Sequence, residues 1–418
     1  MSAPACVSHH THGATPAVAA AFLGWMLDAF DFFAVVFLIG ILARHFAVSK
    51  TDIVLTLTAT LAMRPLGAVL FGLLADRYGR RRPLIANILF FSLMELLCGF
   101  APNFAVFFVL RALYGIGMGG EWGVGASLAM EAAPRRRRGL FSGVLQSGYP
   151  VGYLLAALAA RFVLPVWGWR AMFFLGGVPA LLALYVRWRV PESEAWQRNR
   201  APSAGAILRA ALGDRKRLAY LLLLMTGMMF LSHGTQDLYP DFLRVAHHLS
   251  ADVIANLAIL YNLGAVAGGI VFGLASERWG RRRGLLAGMG LSLLVIPLWA
   301  FGGTVAMLAA GSFLMQAGVQ GAWGIIPAHL NELSPGAARG LLPGLAYQLG
   351  ILFAAPVGTV EFALGHRWGY APAMAGFILI TLVFAAVVVA LGPERRGVDF
   401  VAAARSATPG EPAADGPR

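Results

Sequence analysis

The chain has 418 residues, 58% of them hydrophobic and only 13% charged, with a mean hydropathy of +0.70. No ordinary soluble domain carries that balance, so the composition describes a polytopic membrane protein. The net charge of +13 does not point to nucleic acid, because the arginines fall in short loops between apolar runs.

A crossing needs about 20 apolar residues, and the apolar runs number twelve. In chain order they fall near 17–43, 52–75, 83–101, 103–131, 140–164 and 169–190, then 218–245, 251–275, 284–302, 304–331, 340–365 and 369–391. The first run carries Asp28 and Asp31 and lacks a basic n-region, so it reads as a span and not as a signal peptide. Residues 191–217 are polar and basic and contain Pro202, Ser203 and Gly205, so they read as a linker between two six-helix halves, 17–190 and 218–391. The ends, 1–16 and 392–418, read as disordered tails. Basic clusters recur on every second loop (77–82, 135–138, 187–217, 278–283). The positive-inside rule therefore puts both tails and the linker in the cytoplasm of a protein expected in the cell (inner) membrane. Cys6 and Cys98 offer no disulfide framework, and His9, His10 and His12 lack a second ligand cluster, so neither a metal nor a cofactor is expected.

The charges inside the spans are the chemistry-bearing residues, since a charge at bilayer centre costs roughly 3 kcal/mol and usually faces a wet cavity or the bundle interior. Asp28 and Asp31 are three apart and share a helix face. Two neighbouring carboxylates in low dielectric do not both stay ionised cheaply, so one of them is expected to carry a proton. Arg64 stands near mid-membrane in the second span. Arg111 opens a glycine-rich run in the fourth that leads to Glu121. Glu95 and Glu361 are weaker cases, lone acids in apolar spans that are each expected to pair locally with an arginine. In the seventh span, Ser232-His233-Gly234-Thr235-Gln236-Asp237 sets His233 one turn from both Gln236 and Asp237, and this face reads as lining a solute path. The structural alternative is that His233 and Asp237 merely pair to bridge two helices.

The halves repeat each other. Gly72-Leu-Leu-Ala-Asp76-Arg77-Tyr-Gly79-Arg80-Arg81-Arg82 returns as Gly273-Leu-Ala-Ser-Glu277-Arg278-Trp-Gly280-Arg281-Arg282-Arg283, an offset of 273 − 72 = 201. The same offset relates Gly120-Glu-Trp122-Gly123 to Gly321-Ala-Trp323-Gly324, and Glu131, Pro134 and Arg138 to Glu332, Pro335 and Arg339. With an even number of spans per half, this is a parallel repeat about an axis along the membrane normal.

The Gly-x-x-x-Asp-Arg-x-Gly-Arg-Arg loop resembles that of the major facilitator superfamily. So do the Glu-x6-Arg pairs Glu131/Arg138 and Glu332/Arg339, and the Pro191-Glu192 and Pro393-Glu394 dipeptides that close each half. The resemblance implies a twelve-helix, all-α membrane fold of two six-helix halves working by alternating access. Gly72, Asp76, Arg80, Glu131, Arg138, Glu277, Arg281, Glu332 and Arg339 would then form a gate at the cytoplasmic helix ends. Asp-Ala-Phe-Asp in the first span with Arg-x3-Gly-x-Gly in the fourth is similar to proton-coupled symporters of the superfamily, which gives Asp31 and Arg111 the coupling roles, with Asp28, His233 and Asp237 beside them. The seventh-span stretch, with Gly24-Trp25-x-Leu27-Asp28-Ala29-Phe30-Asp31 and Gly119-Gly120-Glu121-Trp122, resembles the sialate:proton symporter family, which includes lactate and pyruvate permeases. Carboxylate members begin the seventh-span motif with Asn and end it with Thr, where this chain has Met229 and Asp241.

The expected function is proton-coupled symport of a small monocarboxylate, with Arg64, Arg111, His233, Thr235 and Gln236 as the substrate-binding set. The expected partners are the carboxylate, protons and the lipid bilayer, with no nucleic acid, in a protein working as a monomer. Sialic acid, an aromatic acid or another acidic metabolite is the alternative solute. An intramembrane enzyme on His233 and Asp237 would need a nucleophile or metal motif, and neither His-Glu-x-x-His nor Gly-x-Ser-x-Gly occurs. A non-transporting sensor would carry a large added soluble domain. Drug efflux is disfavoured because Gly148-Tyr149-Pro150-Val151-Gly152 stands where the antiporter sequence Gly-Pro-x-x-Gly-Gly would be.

Overall fold

The computed structural model describes residues 13–401, and every regular element among them is helical. Ten helices, counted across short internal breaks, are long and apolar enough to cross a membrane: Ala14–Phe46, Lys50–Tyr78, Phe104–Ala132, Leu164–Arg189, Arg215–Ala246, Ala251–Trp279, Arg281–Phe301, Val305–Leu333, Leu342–Trp368 and Tyr370–Leu391. Two further crossings complete the set. The third span, Arg81–Cys98, begins on two arginines and holds Glu95. The fifth is divided into Arg138–Gln146 and Gly148–Phe162. The total is 10 + 2 = 12 crossings in two halves of six. Large apolar side chains such as Leu294 and Leu391 stay exposed on the outer surface, where acyl chains and not water would cover them.

The repeat extends to the caps. The Ser49 side chain accepts a hydrogen bond from the backbone N–H of Asp52 at the start of the second span, and Ser250, 201 residues on, accepts from Val253 at the start of the eighth. Asn103 and Thr304 do the same for the fourth and tenth spans at the same offset. Gly79 and Gly280 close the second and eighth spans at φ 104° and 95°, a region that side-chain-bearing residues rarely adopt. The halves meet where the second span lies against the eleventh and the fifth against the eighth. A Cβ on Gly72 would sit 2.7 Å from Leu341 Cα, and one on Gly273 would sit 2.5 Å from the Gly139 carbonyl oxygen. Those two contacts explain the glycine that opens each loop motif.

Several spans read as continuous in the sequence are broken, and proline is the reason. Pro150, Pro240 and Pro327 cannot donate to the carbonyl four residues earlier. The helices stop at Gln146, Gln236 and Trp323, which are those residues. The eleventh span breaks beside Pro356 in the same way. In the sixth, Gly168 at φ 74° marks a kink.

The tails also differ from the sequence reading. Residues 14–16 belong to the first helix, and 392–401 are not a loose end: Phe400 is buried, with its ring packed between two arginines. The linker contains helices Glu194–Arg198 and Ala204–Leu212. Cys6, His9, His10, His12 and the segments 1–12 and 402–418 lie outside the described residues.

Candidate functional site

All three broken helix ends converge on one cavity. It measures about 390 Å³ and is lined by both halves: Gln146, Tyr149 and Pro150 of the fifth span, Gln236 and Pro240 of the seventh, and Trp323 of the tenth all face it. Breaking a helix at mid-membrane costs hydrogen bonds, and such breaks are tolerated where the backbone is buried in protein or lines a cavity. Its exposed wall residues Val36 and Asp237 lie in the half of their spans farther from the linker, so the cavity is reached from the face opposite the linker.

Arg64 is the one arginine on this wall among the described residues. Among the described residues it makes no ion pair and its Nε and Nη2 have no hydrogen-bond partner, and its guanidinium stands 5.8 Å from the Tyr347 ring centroid. His233, Gln236 and Asp237 also face the cavity. The His233 imidazole holds the Asp237 carboxylate at 2.9 Å, and Gln236 donates to Gln316 at 2.8 Å. Thr235 does not face the cavity, contrary to the sequence reading. It is buried against the tenth span, where its hydroxyl donates to the Leu231 carbonyl and accepts from Gln316. The third and fourth positions of a helical turn face different neighbours, and Gln316 occupies the side that Thr235 meets.

Arg111 is a second correction. It lies fully buried outside the cavity and binds Glu95 at 2.6 Å. Glu95 on the third span therefore takes the position that the resemblance gave to Asp31, and the pairing of Glu95 with an arginine is the local one expected. Asp31 is buried with both carboxylate oxygens unpartnered among the described residues, beside Gly176 and Glu95. Asp28 accepts from the Tyr114 hydroxyl at 3.0 Å. Glu121, also unpartnered, fills the space left by Gly24, where a Cβ would sit 2.2 Å from its Oε1. Four buried acids thus share the interior of the first half with Arg64 and Arg111. Glu361 is buried with neither oxygen bonded, so the arginine expected for it is absent among the described residues.

The wall is strongly aromatic. Phe33, Tyr149, Tyr153, Tyr261, Trp323 and Tyr347 face the space. Tyr347 is wedged between the repeat-related Trp122 and Trp323, at ring separations of 4.3 and 5.5 Å. No periodicity marks Tyr347 or Tyr149 as cavity residues. Gln316 and Gln320, four apart in an apolar run, were a visible signal that the sequence reading passed over.

At the linker face the charges form a closed lattice. Arg80 bridges Asp76 (2.5 Å) and Glu131 (3.0 Å), and Arg281 bridges Glu277 (3.5 Å) and Glu332 (2.9 Å). The Glu-x6-Arg pairs do not close on themselves. Glu131 binds Arg339 of the other half at 3.1 Å, and Glu332 binds Arg138 at 3.0 Å. The Asp76 carboxylate also accepts from the backbone N–H groups of Gly340 and Leu341 across the interface. Phe400 completes the lattice unannounced by any motif: its ring stacks on Arg138 and Arg339, each guanidinium carbon 3.9 Å from the centroid.

We expect Glu131→Gln to leave Arg80 and Arg339 buried without their shared anion, a loss on the order of 3 kcal/mol. The population should then move roughly a hundredfold toward a state open at the linker face. A cysteine placed by Ala126→Cys, in a Cys6→Ser background, should label faster with a maleimide applied from that side. Phe400→Ala should act in the same direction more weakly. Unchanged labelling in both would reduce the lattice to a signal for membrane orientation.

Two pseudo-equivalent halves, a cavity between them open at one face and an ion-pair lattice across the other are the architecture of a membrane transporter. The chain belongs to the Major Facilitator Superfamily, whose family model matches residues 21–239 and 237–411. It is 32% identical over 374 residues to a carboxylic acid transporter protein homolog of Saccharomyces cerevisiae, covering 83% of this chain and 61% of that one, so it spans under two thirds of the yeast protein. It is 30% identical to a probable 4-methylmuconolactone transporter of Cupriavidus pinatubonensis (91% of this chain, 90% of that one) and 28% identical to the sialic acid transporter NanX of Escherichia coli (90% and 92%). Among solved structures, the proton:xylose symporter XylE shares the fold at a TM-score of 0.76 and 18% identity, with 95% of this chain and all of that one covered.

Proposed function

We propose that the protein transports organic acids, and specifically that it couples the entry of a small monocarboxylate, of lactate or pyruvate size, to a proton. The observation that carries this reading is Arg64, a buried guanidinium on the cavity wall that makes no ion pair among the described residues. A desolvated anion needs a fixed cation, and a guanidinium fork matches a carboxylate. The chain's relatives, a carboxylic acid transporter homolog and sialic acid and niacin transporters, support an acidic solute. In this reading the linker face is cytoplasmic and the buried acids Asp31, Asp28 and Glu121, with Asp237, supply the proton site. One specific observation favours a second solute. The aromatic wall suits a flat ring, so an aromatic acid is the alternative.

A monoanion crossing with one proton moves no net charge. Transport in proteoliposomes should therefore follow a pH gradient and hardly respond to voltage, which is otherwise worth about 2.3 kcal/mol per charge per 100 mV. With potential clamped by potassium and valinomycin, external acidification should accelerate uptake of labelled lactate, and excess pyruvate should abolish it. Uptake that tracks voltage and ignores pH rules out one-to-one proton symport. Inhibition by benzoate or nicotinate, with none by pyruvate, would select the aromatic solute instead.

A further inference from the structure

A second cleft, distinct from the central cavity, opens at the linker-face edge of the bundle. It measures about 670 Å³ and is lined by Tyr78, Arg81, Arg82, Arg187, Glu192 and Trp196, with Ile85 and Leu89 of the third span below them. Three arginines face one acid. Glu192 is already engaged, accepting from the backbone N–H groups of Arg80, Arg81 and Ser193 at the start of the third span. Arg81 spends one N–H on the Arg187 carbonyl, while the side chains of Arg82 and Arg187 make no ion pair or hydrogen bond among the described residues.

Below the arginines the surface turns apolar in a line. Leu89, Leu93 and Leu97 recur every four residues on the third span and are all exposed, and Leu181 and Leu184 of the sixth are exposed as well. Tyr78 and Trp188 are more than half exposed at the level of the arginines, as aromatic residues at a headgroup boundary are. The other half offers an internal comparison. In the repeat-related place, Arg282 donates to the Val389 and Ala390 carbonyls, and the position matching Arg187, five residues before the glutamate of the closing Pro-Glu dipeptide, is Val389. Membrane orientation alone does not require the third cation, since the second half does without it.

We propose that this cleft binds an anionic phospholipid, its phosphate on Arg82 and Arg187 and an acyl chain along Leu89, Leu93 and Leu97. A phosphate ester is the shared chemistry of a lipid headgroup and a free phosphate. The continuous apolar stripe beneath the arginines selects the lipid.

The test uses the full-length protein in detergent, incubated with equal amounts of phosphatidylglycerol and phosphatidylcholine and examined by native mass spectrometry. Phosphatidylglycerol should be retained preferentially. Arg187→Gln should weaken its retention roughly fivefold, which corresponds to about 1 kcal/mol per cation near a charged bilayer surface. Arg82→Gln with Arg187→Gln should weaken it about 25-fold, whereas Arg82→Lys with Arg187→Lys should keep most of it. Arg283→Gln in the other half should change nothing. If the double Gln variant does not fold, the exposed Arg187→Gln carries the test alone. Equal retention of the two lipids, or retention untouched by Arg187→Gln, overturns the proposal. Displacement of the lipid by excess inorganic phosphate overturns it too, because the site would then take a soluble anion.

Discussion

Arg64→Ala should raise the KM for a carboxylate substrate by at least thirtyfold and bring uptake at low substrate close to background. Removing the partner of a buried charge costs about 2–5 kcal/mol, and no other arginine among the described residues stands on the cavity wall to replace it. Arg64→Lys should be milder. The charge remains but the planar fork is lost, so KM should rise about tenfold, equivalent to about 1.4 kcal/mol. Arg111 is the built-in comparison. Because Arg111 binds Glu95 away from the cavity, Arg111→Lys should alter coupling or folding without the same effect on KM. Saturation curves for equilibrium exchange in proteoliposomes measure this directly. An unchanged KM in Arg64→Lys and Arg64→Ala would show that the solute is held elsewhere.

Asp31→Asn is expected to separate proton coupling from transport. Among the described residues Asp31 and Glu121 have both oxygens unpartnered, whereas Asp28 holds the Tyr114 hydroxyl and Glu95 holds Arg111, so these two acids have least to lose on changing protonation, and the first-span resemblance puts Asp31 first. The amide mimics a permanently protonated acid. Wild-type protein with one proton per solute should accumulate substrate up to about tenfold for each unit of pH gradient, the equivalent of about 1.4 kcal/mol. Asp31→Asn should hold that ratio near one while solute exchange across the membrane continues, because exchange requires no proton release. Accumulation that survives in Asp31→Asn and disappears in Asp237→Asn would move the coupling site to the second half.

Much of the architecture follows from local sequence alone. Twelve apolar runs, the 201-residue offset and the glycine-acid-arginine loops are one-dimensional patterns. The physics behind them is equally local: apolar length sets a crossing, and a loop glycine permits a φ near +100°. Three of the broken helix ends carry a sequence signal as well, a proline four residues on, but Pro65 and Pro297 stand inside unbroken helices, so the proline alone does not decide the break. The polar run from Ser232 to Asp237 announced the cavity because polar side chains at that depth require a wet or polar neighbour.

Partnership was decided in three dimensions. Glu131 has Arg138 seven residues away in sequence, yet it binds Arg339 of the other half. Asp31 and Arg111 matched as a pair by motif, but Glu95 reaches the guanidinium instead. Helical spacing fixes which residues share a face, and only the packing of one span against another fixes what that face meets. For the same reason Arg64 and Arg111, indistinguishable as lone intramembrane arginines, part company on folding: one meets the cavity and the other meets an acid. Phe400 sits in a segment whose composition suggests disorder, and its burial depends entirely on two arginines brought together by the closed interface.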